Sequence, residues 1–239
     1  MLLHKPKELI PKTIHIWVIN INDVIHKIDN LKHVINKAEK EKASNFHFKK
    51  DQNKYIMSRG ALRVLSACYL NRNAKEIEFE YGEYGKPEYN FDSDLKFNIS
   101  HSGDLIVLSF VKEFDIGVDI EKVKADFDIF EIAANFFSDL EIKTLKKVPK
   151  DKQVEYFYRC WTRKESFIKA KAMGLSFPLD SFSVCINSDK KTAVLETKWD
   201  INEKDTWSLF TFSPQPNYIG AVSIQGNINA IEYFNFNDG

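Results

Sequence analysis

Apolar positions alternate from Thr13 to Ile21, and β-branched residues dominate, which predicts a strand. The period then changes. Val24, Ile28, Leu31, Ile35 and Ala38 fall at helical spacing behind Asp23, a good cap, so a helix is predicted from Val24 to about Ala43. Asp51 opens a second helix that ends near Leu70, before the polar break Asn71-Arg72-Asn73. Ile77 to Glu80 reads as a short strand, and Tyr81 to Pro87 as a loop by its glycines and proline. Leu95 to Ser100 and Leu105 to Val111 read as a hairpin turning at His101-Ser102-Gly103-Asp104. A further strand follows at Ile116 to Ile120.

The pattern beyond it repeats in kind. Phe127 to Phe137 is predicted helical, and Ser138 to Glu141 has capping-box spacing for another short helix. A long helix runs from Pro149 to Ala172, with Pro149 in its first turn and Gly174 as a stop. Strands are expected at Phe182 to Ile186, Ala193 to Glu196, Trp207 to Phe212, Tyr218 to Ile224 and Ala230 to Phe234. This order suits an α+β fold of two tandem halves, residues 1–112 and 113–239, packed without a linker.

The 239 residues can bury a substantial core. Lys plus Arg and Asp plus Glu both number 34, so a general nucleic-acid binder is not expected. Three widely spaced cysteines make neither a disulfide framework nor a zinc pattern, and they fit a reducing cytoplasm. There is no signal-peptide design, and no apolar run approaches the ~20 residues a bilayer span needs, so no membrane association is expected.

The chemistry-bearing residues change the picture. Asp119 and Glu121 share one face of the strand, opposite Val118 and Ile120. On the long helix, Val154, Tyr158, Trp161, Ile168 and Ala172 form an apolar stripe, and Glu165 fills its one gap. A buried carboxylate is costly unless it is paired or metal-bound. The three carboxylates therefore point to a hard divalent cation such as Mg²⁺. The bland reading is a solvated strand face, with Glu165 paired to Lys169 one turn on. Ser100-His101-Ser102-Gly103 offers N–H groups and an imidazole to a phosphate, or is an ordinary polar turn. Tyr84-Gly85-Lys86-Pro87 places a cation on a stiffened loop. Lys164 and Lys169 flank Glu165, as a polyphosphate ligand would require. Residues 27–54 are rich in lysine, and Arg59 and Arg63 form a cationic pair on one helix face or take part in structural salt bridges.

Taken in order, Tyr84-Gly85-Lys86-Pro87, Phe97-Asn98-Ile99-Ser100-His101-Ser102, Gly117-Val118-Asp119-Ile120-Glu121, Phe136-Phe137-Ser138, Trp161 to Lys169 and Gly174-Leu175-Ser176 resemble the 4′-phosphopantetheinyl transferases of the surfactin-synthetase-activating (Sfp) type. The resemblance spans about residues 40–185. It implies two similar α+β halves related by a pseudo-twofold, with coenzyme A in the cleft between them. It implies transfer of phosphopantetheine to a serine of an apo peptidyl or acyl carrier protein, releasing adenosine 3′,5′-bisphosphate. Asp119, Glu121 and Glu165 would hold Mg²⁺ or Mn²⁺, and Glu165 would also serve as base. Lys169 would contact the pyrophosphate, and His101 a phosphate. Tyr84, Gly85, Lys86, Pro87, Ser100, Ser102 and Lys164 belong to the implied coenzyme site. Lys42 falls where the family has a lysine for the 3′-phosphate. Another such lysine falls at Glu39 or Lys40. Lys54 stands where the family pattern has an arginine; it keeps the charge and loses the fork. Phe127, Ile129, Phe130 and Phe137 lie where the family docks its carriers, or belong to the core. Because one chain forms the cleft, a monomer is expected. The competing readings are a catalytically inactive binding module for coenzyme A or carriers, and a metal-dependent phosphoester hydrolase.

Overall fold

The computed structural model describes residues 6–174, 176–188 and 194–238. Strand β1 (Thr13–Asn20) leads into a helical region of short α1 (Ile21–Val24), α2 (Ile28–Val34) and α3 (Lys37–Ser44), then the long α4 (Lys49–Leu70). A small ribbon, β2 (Phe79–Tyr81) and β3 (Pro87–Tyr89), precedes the hairpin β4 (Leu95–Ser102) and β5 (Leu105–Lys112). Then come β6 (Ile116–Lys122), α5 (Ile129–Phe136), α6 (Asp139–Lys147) and α7 (Gln153–Ala170). The chain finishes with β7 (Phe182–Val184), β8 (Val194–Thr197), β9 (Trp207–Phe212), β10 (Tyr218–Gln225) and β11 (Ala230–Asn235).

The strands build two main sheets, ordered β11-β1-β5-β4 and β6-β10-β9. Side-chain alternation explains why β1 and β5 are apolar at nearly every position. Trp17, Ile19, Ile106, Leu108 and Phe110 face the core beneath α2 and α4, with Leu31, Met57, Ala61 and Leu65. Ile14, Ile16, Leu105 and Val107 face the other way, into a core shared with Val118, Ile120, Val222 and Ile224 of the second sheet. A third core lies under α5, α6 and α7, around Leu145, Phe157, Phe167, Trp207 and Leu209. The two sheets are thus pressed together by apolar faces, each with helices on its outer side.

The structure corrects several boundaries. The helix expected over residues 24–43 is broken, because Ile35 is extended and Asn36 starts α3 afresh. Asn36 Oδ1 accepts the Glu39 N–H at 2.8 Å, and Glu39 Oε2 accepts the Asn36 N–H at 2.9 Å, a capping box. Asn20, not Asp23, caps the preceding turn. Residues His101 and Ser102 belong to β4, and the turn is only Gly103-Asp104. Helix α7 starts at Gln153 rather than Pro149 and ends at Ala170, with Ala172 at φ 54°. Leu175 and Ala193 lie outside the described residues.

The last strand crosses back. β11 pairs in parallel with β1, setting Ala230 beside Thr13 and Asn235 beside Val18. Residues 230–235 therefore belong to the first half's sheet, although the sequence order assigns them to 113–239. The ring of Phe234 stacks on Trp17 at 4.8 Å, and Trp17 Nε1 donates to the Tyr69 hydroxyl at 2.8 Å.

Candidate active site

Strands β4 and β6 lie side by side where the two halves meet, but no backbone ladder joins them. Side chains of β4 do so instead. Asn98 Oδ1 accepts the Val118 N–H at 2.9 Å, Ser100 Oγ the Ile120 N–H at 3.4 Å, and Ser102 Oγ the Lys122 N–H at 3.0 Å. Both sets advance by two residues, as side chains on one strand face must. The hydroxyls also donate. Ser100 Oγ bonds Asp119 Oδ1 at 2.9 Å, and Ser102 Oγ bonds Glu121 Oε2 at 2.7 Å. The serines read from sequence as phosphate donors in a turn are seam residues that orient the two strand carboxylates. The alternation Asn98, Ser100, Ser102 was the available signal.

Helix α7 lies directly on β6. A Cβ at Gly117 would stand 2.0 Å from the Ser166 carbonyl oxygen and 2.3 Å from the Ala170 nitrogen, so only glycine admits this approach. The contact brings Glu165 and Lys169, one helical turn apart, over Asp119. Lys169 Nζ bonds Asp119 Oδ1 at 2.6 Å and Ser100 Oγ at 3.2 Å. The bland i,i+4 pair with Glu165 is therefore not what forms.

The charges are strongly perturbed. Glu165 is 7 % exposed and Asp119 3 % exposed. Burial, and then the nearby Asp119, push the Glu165 carboxyl up to about 7. Burial likewise raises Glu121. Burial alone would lower Lys169, but Asp119, Glu165 and Glu121 outweigh it and hold the ammonium above its usual range. Among the described residues, no three acidic, histidine or cysteine side chains stand close enough together to hold a metal ion. Two oxygens nevertheless call for a cation: Asp119 Oδ2 and Glu165 Oε1 are buried with no hydrogen-bond partner. Hard carboxylate oxygens in this state suit Mg²⁺ or Mn²⁺.

The cleft has two lobes. One is lined by Tyr84, Gly85, Lys86, Pro87, Ile168 and Gly174. The other is lined by Lys42, Tyr55, His101, Asp119, Glu121 and Trp161, with Ser100 at its wall. Arg59, Ile99, Glu165 and Lys169 line both. Gly174, at φ 63°, sits against the Tyr84 ring. Lys86 Nζ donates to the Ala170 carbonyl at 3.0 Å, and burial lowers its pKa. Lys42 Nζ lies 5.7 Å over the Tyr55 ring. Desolvation, then the charge of Lys54, holds His101 below its ordinary value.

Other expected residues lie elsewhere. Lys164 is completely buried and points into the second half's core. Its Nζ pairs with Glu141 Oε2 at 2.8 Å and donates to the carbonyls of Leu179 and Phe182 at 2.8 and 2.6 Å. One residue along a helix turns the side chain by about 100°, away from the face of Glu165. The assignment of Lys164 to a phosphate is thereby corrected. Arg63 pairs with buried Glu39 at 2.8 Å and bonds the Ile77 carbonyl, so it is structural. Glu39 is therefore committed to a pair, and Lys40 is exposed. Ile129 and Phe137 are core residues, with Phe127 and Phe130 packed against the same core.

Both halves of the chain are similar to known proteins. The family model described as "4'-phosphopantetheinyl transferase superfamily" matches residues 115–223, and one described as "4'-phosphopantetheinyl transferase, N-terminal" matches residues 23–112. The 4'-phosphopantetheinyl transferase Sfp of Bacillus subtilis (strain 168) is 39% identical over 160 residues, which are 67% of this chain and 70% of that protein. HetI of Nostoc sp., also a 4'-phosphopantetheinyl transferase, is 28% identical over 229 residues, covering 94% and 93% of the two chains. The human L-aminoadipate-semialdehyde dehydrogenase-phosphopantetheinyl transferase is 31% identical over 208 residues, covering 80% and 67%.

Proposed function

The chain belongs to the 4′-phosphopantetheinyl transferases, and from that premise we propose that the seam between β4 and β6, closed by α7, is its active site. The enzyme transfers the 4′-phosphopantetheine group from coenzyme A to a serine of an apo carrier protein. The observation that carries the site assignment is the convergence of Asp119, Glu121, Glu165 and Lys169 on one cleft, with buried oxygens of Asp119 and Glu165 unpartnered.

In this reading coenzyme A spans both lobes with its diphosphate at their junction. Asp119, Glu121 and Glu165 are the residues that would hold Mg²⁺ or Mn²⁺. When bound, the metal supplies charge neutralisation to the diphosphate oxygens. The carrier serine Oγ attacks the phosphorus that bears pantetheine. An O–P bond forms there, and the P–O bond to adenosine 3′,5′-bisphosphate breaks. Glu165 takes the serine proton. Lys169, kept cationic by three carboxylates, neutralises charge on the leaving phosphate. Ser100 and Ser102 hold the strand carboxylates in place. Lys42, Lys54 and Lys86 give the cleft its positive margin, His101 adds an imidazole, and Tyr84 to Pro87 form one wall.

One chain supplies both cleft walls, so the enzyme works as a monomer. Among the described residues no helix is long and apolar enough to cross a membrane. A cytoplasmic location goes with the reading.

The test is mass spectrometry of apo peptidyl and acyl carriers incubated with the protein, coenzyme A and Mg²⁺. One added phosphopantetheine, abolished by EDTA, supports the reading. An unmodified carrier across both types, with coenzyme A bound, contradicts it.

A further inference from the structure

Arg59 has no assigned role in the site, yet it is one of four residues lining both lobes of the cleft. Its Nη1 is buried without a hydrogen-bond partner. Its guanidinium lies 5.7 Å from the Tyr55 ring centre and 5.4 Å from that of Tyr81. Among the described residues no carboxylate pairs with it. One turn further along α4, Arg63 also leaves one nitrogen, Nη2, buried and unpartnered, but its charge is paired with Glu39 and its Nη1 bonds the Ala74 and Ile77 carbonyls.

A guanidinium carries five N–H donors, and burying one unmet costs stability. Glu39 compensates the charge of Arg63 away from the cleft, whereas Arg59 keeps its unmet donor at the cleft wall with no described carboxylate beside it. The other cation at the lobe junction, Lys169, is already held by Asp119. Arg59 is thus the junction cation left uncompensated. Flanking rings orient a planar guanidinium without hydrogen-bonding all its donors. A diphosphate suits that fork, because two adjacent oxygens accept two parallel N–H bonds.

Resting on the coenzyme reading above, we propose that Arg59 binds the coenzyme A diphosphate from the α4 side of the cleft, facing Lys169 and the carboxylates. It is a binding residue that fixes the phosphorus where the lobes join.

Isothermal titration of coenzyme A and of dephospho-coenzyme A, with Mg²⁺ present, tests this in the whole protein. Arg59→Gln is expected to weaken both donors equally, by about ten- to a hundredfold, as loss of a charged hydrogen-bond pair does. Arg59→Lys keeps the charge without the fork and is expected to fall between Gln and wild type. Unchanged affinity in both variants overturns the proposal. A loss confined to coenzyme A also overturns it, since that places Arg59 on the 3′-phosphate. If Arg59→Gln fails to fold, Arg59→Lys alone decides on the same criterion. Failure of the wild-type protein to bind coenzyme A would instead overturn the proposed function.

Discussion

The Ser102 hydroxyl accepts the Lys122 N–H at 3.0 Å and donates to Glu121 Oε2 at 2.7 Å. One oxygen thus ties the two halves together and aims a carboxylate. Ser102→Ala removes both bonds. It is expected to cost about 1 kcal/mol of stability. Where Glu121 serves as a ligand of the proposed metal, the loss of its orienting hydroxyl is also expected to weaken Mg²⁺ affinity about tenfold or more. Urea unfolding and metal titration read the two effects separately. A variant destabilised with unchanged Mg²⁺ affinity would leave Ser102 as a seam bond only.

Glu165 makes the metal-free protein pH-sensitive. Its folded pKa of about 7 lies above the ordinary 4.5, so the folded state holds the proton more tightly than the unfolded chain. That contribution is fully present below 4.5 and is lost as pH rises through 7, by roughly 3 kcal/mol in all. In EDTA, the melting temperature of wild type relative to Glu165→Gln is therefore expected to fall between pH 5 and 8. Mg²⁺ should raise the wild-type melting temperature more at pH 8 than at pH 6. A pH-independent difference between the two proteins would rule this out.

Gly117→Ala tests the placement of α7. The new methyl meets backbone atoms of Ser166 and Ala170, which cannot rotate away. The expected cost is about 1–3 kcal/mol from overpacking. Lifting α7 moves Glu165 and Lys169 off Asp119, so carrier modification should fall far more than folding does. Full activity in a folded variant would show that this register is not needed.

Lys164→Met separates a structural lysine from a ligand-binding one. Removing one partner of the buried Lys164–Glu141 pair is expected to cost about 3–5 kcal/mol. Glu141 also caps α6, accepting the Ser138 N–H at 2.8 Å, and accepts the Val184 N–H at 2.7 Å. Coenzyme A affinity of the folded protein should stay at the wild-type level. A selective loss of affinity would return Lys164 to the cleft.

These contrasts show what a linear pattern carries. The alternation around Asp119 and the gap filled by Glu165 were legible because strand and helix periods fix side-chain faces. The capping box at Ser138 was legible for the same local reason, and it is present. Lys164 was misplaced because charge beside Glu165 was weighed above the helical turn that separates them. The break at Asn36 was hidden because apolar spacing continued across it. The parallel return of β11 onto β1 joins residues more than two hundred positions apart, and no local period reports such a pairing. The seam needed both strands in view: Asn98, Ser100 and Ser102 acquire meaning only beside Val118, Ile120 and Lys122.

The central claim is that Asp119, Glu121 and Glu165 form a divalent-cation site at that seam. Electron paramagnetic resonance of Mn²⁺, titrated into the protein with coenzyme A present, tests it without turnover. Wild type is expected to sequester one Mn²⁺ per chain, and Asp119→Asn and Glu165→Gln to bind it at least about tenfold more weakly. Undiminished Mn²⁺ binding by both folded variants would contradict the account.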